Sequence, residues 1–173
     1  MPKNYESYSK GNITNGSQLY EDLYNVVPDM LEYDKKDKNI YSSEKGYFKN
    51  PSALVLQDAF KYGKLFKDDS GKVINEWIYV IDEYNTFIVG IRLNPNSIGK
   101  RSPHPALIGG KYPKVKCAGI LKLKNNKILS VNNHSGHYKP DIKSLKLAED
   151  ILQKLYNENP LWFHEESKWR KRK

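Results

Sequence analysis

The chain has 173 residues, 38% of them hydrophobic and 28% charged, with 29 Lys+Arg against 20 Asp+Glu for a formal net charge of +9. That length suits one domain that buries a sizeable core, and the composition excludes global disorder. The single Cys117 excludes a disulfide framework and a multi-cysteine zinc site, and no run approaches the ~18 apolar residues of a membrane span. The charge is uneven: residues 1–91 carry 11 basic and 14 acidic side chains, residues 92–173 carry 18 and 6. The second half therefore invites a polyanionic partner, whether nucleic acid, nucleotide phosphate or an acidic protein face. The plainer reading is a lysine-rich solvated surface. Met1-Pro2-Lys3-Asn4 does not read as a signal peptide, so synthesis in a cytosol is expected.

In chain order, residues 1–16 are polar and expected to be mobile. Gln18 to Val27 carries Leu19, Leu23 and Val26 at helical spacing, with Ser17 as N-cap, and Pro28 is expected to end that helix. Residues 33–50 read as loop, holding the Asp34–Lys38 charge cluster and Ser42-Ser43. A second helix is expected from Ser52 to Tyr62, with Leu56, Ala59 and Phe60 inward and Gly63 as its stop. Asp68-Asp69-Ser70-Gly71 is a turn. Trp77–Ile81 and Thr86–Ile91 are β-branched and aromatic runs around a polar bend, the pattern of a hairpin. Residues 94–116 form a loop rich in Pro and Gly, of a length usual for functional or disordered segments.

Ala118–Lys124 and Lys127–Asn132 flank Asn125-Asn126, a candidate type I′ turn. In that register Leu121, Leu123 and Ile128 share one face and Lys122, Lys124 and Lys127 the other. From Ser144 to Tyr156, Leu145, Ala148, Ile151, Leu152 and Leu155 fall on one helical stripe, and Asn159-Pro160 closes it. Trp169-Arg170-Lys171-Arg172-Lys173 reads as a frayed basic tail. The sum is one α+β domain over residues 1–173: N-terminal helices, an antiparallel sheet of four or more strands, and a C-terminal amphipathic helix packed on one face.

Two stretches could carry chemistry. The first, His104-Pro105-Ala106-Leu107-Ile108-Gly109-Gly110-Lys111, is a Gly-containing loop ending in Lys. Exposed amides of Gly109 and Gly110 beside Lys111 could cradle phosphate oxygens, although the Walker A spacing is absent and a tight turn into the next strand explains the same residues. The second, Asn133-His134-Ser135-Gly136-His137-Tyr138-Lys139-Pro140-Asp141, places His137 between a strand end and a helix N-terminus, where an anion is favoured. Asp141 could orient the His137 ring or cap the helix. The plain reading makes Ser135-Gly136 a turn and His137 a satisfied core histidine. His134 is expected at the surface, His164 in an aromatic core cluster, and Cys117 buried and inert.

Together the two stretches resemble a domain found at the C-termini of bacterial polymorphic toxins, including Rhs-type effectors. The pattern is carried by His104, Pro105, Leu107, Gly109, Gly110, Pro113, Val115, Ala118 and Gly119, then Ser135, Gly136, His137, Tyr138 and Pro140. It is also similar to the core of plant IQ-motif calmodulin-binding proteins and, more distantly, to LnaB-like effectors. The likeness spans residues 77–165. Those effectors carry a Ser plus His-x-x-x-Glu motif and transfer AMP from ATP when activated by host actin. The resemblance implies a secreted toxin, delivered by a secretion system for interbacterial competition and acting in the target-cell cytosol. It implies a nucleotidyltransferase that AMPylates a target protein, with ATP and Mg²⁺ as the substrate pair, and an acidic immunity protein or a host activator as partner.

In that reading His137 is the catalytic base or positions the attacked phosphorus, with Asp141, Ser135 and His104 as further catalytic candidates and Gly109, Gly110, Lys111 and Lys139 binding the nucleotide. Two positions depart from the pattern: Asp141 stands where the effectors have Glu, and Ala106 where toxin relatives often have Ser or Thr. If that hydroxyl is catalytic, Ser102 or Ser135 must replace it or the chain is inactive. Two other functions compete: a metal-independent ribonuclease toxin using His104 and His137 on a basic groove, and a non-catalytic protein-binding module.

Overall fold

The computed structural model describes residues 22–92 and 102–172. Residues 22–27 are extended, and Tyr24 forms an antiparallel bridge with Val115. Pro28 then begins helix α1 (Pro28–Lys35) instead of ending one. Two local effects explain the correction. The residue before a proline is pushed out of the α region, and Val27 sits at φ −64°, ψ 143°. Proline itself suits the first helical position, where its missing N–H costs nothing. The expected residues 17–21 of that helix lie outside the described residues.

Strands β1 (Tyr41–Ser42) and β2 (Gly46–Tyr47) form a small hairpin inside the expected loop. Strand β3 (Leu54–Val55) runs directly into helix α2 (Leu56–Lys61), shorter than expected, with Leu56 and Ala59 buried and Gly63 at φ +64° beyond it. Strands β4 (Glu76–Asp82) and β5 (Phe87–Gly90) pair as the hairpin that the sequence suggests. Strands β6 (Val115–Lys124) and β7 (Lys127–Val131) pair around Asn125 and Asn126, whose φ of +50° and +67° meet the two left-handed positions of a type I′ turn. Helix α3 (Ile142–Glu158) closes the order.

The sheet is antiparallel in the order β3-β5-β4-β6-β7 and carries a layer on each face. Trp77, Tyr79, Ile81, Cys117, Leu121, Leu123 and Ile128 pack on one side with Ala148, Leu152 and Leu155 of α3. Ile78, Val80, Val115 and Ala118 face the other way, toward Tyr24, Val26, Tyr47, Leu107 and Tyr138. Burial on both faces explains why β4 is apolar over five consecutive residues and shows no alternation. The α+β reading holds.

Within α3 the inward stripe includes Leu147, while Leu145 and Ile151 are only half-buried. The basic tail is anchored as far as its described residues go: Trp169 is fully buried, its ring 5.6 Å from that of Phe163. An indole removed from water outweighs the solvation of Lys168 and Arg170, which stay exposed. No helix among the described residues is long and apolar enough to cross a membrane.

Candidate functional site

The turn after β7 is built before any side chain acts. The Lys139 amide donates to the Ser135 carbonyl (2.7 Å), the Tyr138 amide to Ser135 Oγ (3.3 Å), and the Val27 amide to the His137 carbonyl (2.8 Å). Lys139 sits at φ +45°, a left-handed conformation uncommon for a lysine. Asp141 is the N-cap of α3, accepting from the Lys143 amide at 3.1 Å. Of the two roles expected for Asp141, the structure gives it the cap.

A different carboxylate holds His137. Its Nε2 lies 2.9 Å from Asp34 Oδ2, and the same oxygen accepts from the Tyr47 hydroxyl at 2.5 Å. The Asp34 side chain is 3% exposed and that of His137 12%. A buried carboxylate is costly unless hydrogen-bonded, and here two donors converge on it. Burial, and then the bond to Asp34, push the Tyr47 hydroxyl far above its usual value, so it stays a donor. With Nε2–H committed to Asp34, the other ring nitrogen, Nδ1, has no hydrogen-bond partner among the described residues. The imidazole is oriented from behind, and His137 lines none of the depressions described below.

His104 is the opposite case. It is 1% exposed in the 3₁₀ turn His104–Leu107, with Nε2 on the Gly119 carbonyl (2.9 Å) and Nδ1 on Ser135 Oγ (3.3 Å). Burial lowers its pKa to about 3, only partly offset by the bond to Gly119. The ring is neutral: Nε2 donates to the carbonyl and Nδ1 accepts from the serine. Gly119 has to be glycine, because a Cβ there would stand 2.0 Å from the Asn132 carbonyl oxygen. His104 thus ties the 102–110 loop to β6 and to the Ser135 turn.

The diglycine is also a joint. The Gly109 amide donates to the Pro105 carbonyl (2.8 Å), and the Gly110 amide to the Tyr47 carbonyl (3.0 Å). Neither amide points freely at a phosphate, which corrects the expected cradle. Gly110 (φ +88°) packs against Gly46 (φ +83°) so closely that a Cβ on Gly46 would lie 2.2 Å from the Gly110 carbonyl carbon. This fixes the β1–β2 hairpin, and with it Tyr47, against the loop.

Two basic depressions lie at residues neighbouring these groups. One, of about 370 Å³, is lined by Asn133, His134, Ser135, Gly136 and Lys139. The other, of about 320 Å³, is lined by Lys35, Tyr41, Ser43, Lys111 and Tyr112. Lys139 and Lys111, expected to grip one nucleotide, therefore line different depressions. Between them runs the chain Tyr47–Asp34–His137.

The remaining expectations sort simply. His134 is exposed, and His164 is buried beside Phe163, accepting the Glu166 amide. Cys117 is buried, and its thiol is raised by that burial while Ser144 and Tyr79 bond to the sulfur. Ala106 is buried with its carbonyl on the Asn50 amide, and Ser102 is half-buried. Asp34 and Tyr47 were the functional residues missing from the sequence reading. The available signal was helical spacing: Val27, Met30, Leu31 and Asp34 share the inward side of α1, and a carboxylate on that side needs a partner. Comparison with known proteins adds no name: no family model, curated protein or solved structure matches the chain.

Proposed function

We propose that this chain is a toxin or effector domain that transfers AMP from ATP to a hydroxyl of a target protein, with His137 as the base. The observation that carries the reading is the mostly buried His137 ring, whose Nε2 is fixed on buried Asp34 while Nδ1 is unpartnered among the described residues. Such a carboxylate–imidazole pair fixes the ring and leaves one nitrogen uncommitted, the arrangement that general-base catalysis needs. In the step, Nδ1 takes the proton of the acceptor hydroxyl and that oxygen bonds to the α-phosphorus. The bond from the α-phosphorus to its bridging oxygen breaks, and pyrophosphate leaves. Mg²⁺ belongs to the substrate here. No group of three or more His, Cys, Asp or Glu suited to a metal occurs among the described residues, so the ion would be held through the phosphates.

The ribonuclease alternative needs two histidines that exchange protons with RNA. His104 is sealed, with both ring nitrogens engaged, which leaves that mechanism one group short. The binding-module alternative has an observation in its favour: the diglycine amides and Asp141 all serve the backbone. On the enzymatic reading the domain is delivered into another cell, and a neutralising partner with an acidic face would suit the basic half. Radiolabelled ATP incubated with the domain and a target-cell lysate should label a protein, and His137→Ala should abolish the labelling. A His137→Ala domain that folds normally and is as toxic on expression as the unsubstituted chain would refute the reading.

A further inference from the structure

The depression formed by Lys35, Tyr41, Ser43, Lys111 and Tyr112 combines features the other two described here lack. Two ammonium groups come from separate elements, the last turn of α1 and the residue after the diglycine, with three hydroxyls between them. No carboxylate lines it. The depression beside Ser135 has one lysine and no tyrosine, and a third, beside Phe163, includes the Glu165 carboxylate among its lining. Tyr112 is 80% exposed, a large π-face left in water. Lys35 has an ion pair with Glu32 at 3.3 Å, but both partners are exposed, and such pairs hold weakly enough to re-form on a ligand.

The walls are positioned by backbone. The Tyr47–Gly110 pair of hydrogen bonds and the Gly46–Gly110 contact set Lys111 against the β1–β2 hairpin that bears Tyr41 and Ser43. Tyr41 packs edge-on against Tyr47, ring centres 5.0 Å apart, and Tyr47 holds Asp34. The depression thus lies on the Tyr41–Tyr47 side of Asp34, toward which His137 Nε2, and not Nδ1, is turned. Its volume of about 320 Å³ lies at the small end of ligand sites.

We infer that this depression is a nucleotide-binding site apart from His137, with Lys35 and Lys111 on the phosphates and the nucleobase stacked on Tyr112. The inference goes beyond the AMP-transfer reading and stands on the lining of the depression alone. A base on a tyrosine face and phosphates between two lysines use the chemistry that single nucleotides and single strands offer. The amides of Gly109 and Gly110 have no part in it.

Binding of α,β-methylene-ATP, which cannot release pyrophosphate, tests the site without turnover. Calorimetric titration of the full chain should give saturable binding, weakened about tenfold by each of Lys35→Ala and Lys111→Ala and about 100-fold by the pair. Tyr112→Ala should cost about five- to tenfold and leave competition by inorganic tripolyphosphate intact. His137→Ala should bind within about twofold of the unsubstituted chain. These lysines and Tyr112 are exposed, and circular dichroism of each variant should be unchanged. Equal affinity in the double lysine variant, or no binding by the unsubstituted chain, overturns the site. Normal binding with no protein labelling, or labelling that survives His137→Ala, instead overturns the transfer reading and leaves the site standing.

Discussion

The two faces of the sheet are built on different principles. The α3 face is a mainly apolar layer of Trp77, Tyr79, Leu121, Leu152 and their neighbours, and its stability follows from area removed from water. In it the buried polar atoms Tyr156 Oη, Ser167 Oγ and Trp169 Nε1 find no partner among the described residues. The opposite face mixes apolar residues with buried polar ones: Asp34, Asn50, His104 and Ser135. Each of those is hydrogen-bonded to a residue of another element or loop, so that layer is held by direction as well as by burial. The difference teaches where to look for function. A face that spends burial on polar groups gains a fixed geometry, and His137 is where that geometry reaches the surface.

Substitutions on the two faces should therefore separate activity from stability. The largest effect is expected from His137→Ala, which should cut AMP transfer by 10²- to 10⁴-fold, the range of a general base, while losing one of Asp34's two donors costs about 1–3 kcal/mol of stability. Leu152→Ala, on the α3 face, should cost stability alone. It should cost about 2–5 kcal/mol in urea unfolding and leave the rate per folded molecule unchanged. Should Leu152→Ala reduce the rate of the folded fraction as His137→Ala does, the division of labour between the faces is wrong.

Asp34→Asn comes next. It keeps shape but removes the charge that fixes Nε2–H, and loss of such an orienting carboxylate should slow transfer about 10- to 100-fold. Asp141→Asn, a substitution at the cap, should leave transfer within about twofold. Equal losses in both variants would return the orienting role to the cap residue.

The smallest effect is a pH dependence that belongs to His104. Its folded pKa of about 3 lies below the unfolded value of about 6.5, so the unfolded chain binds the proton first. The stabilisation is complete above about pH 6.5 and fades as pH falls toward 3, by up to about 1.4 kcal/mol per pH unit. Urea unfolding at pH 7, 6 and 5 should show this slope, and His104→Gln should flatten it by that amount. Parallel slopes would mean that the ring is not held neutral.

The legible parts of the sequence were those set by neighbours. The β4–β5 hairpin, the Asn125-Asn126 turn and the α3 stripe follow from residues two to four positions apart, where local sterics and periodicity decide. Pro28 was misread because Leu23 and Val26 suit a helix spacing as well as the extended segment that pairs with Val115. His137 stood out because it follows a glycine at a strand–helix junction. Its true partner, Asp34, is 103 residues away, and no local pattern reports a bond that the chain makes by closing on itself. The basic tail hides its anchor for a related reason: Trp169 meets Phe163, itself packed on Tyr156 of α3, far from any local pattern.

The central claim, an imidazole anchored by Asp34 with its other nitrogen bare, can be read directly by long-range ¹H–¹⁵N correlation spectroscopy at neutral pH. The His137 ring, assigned by comparison with His137→Ala, should carry a proton on Nε2, and any lone-pair shift should appear at Nδ1. A ring that carries its proton on Nδ1 and leaves Nε2 bare would contradict the account.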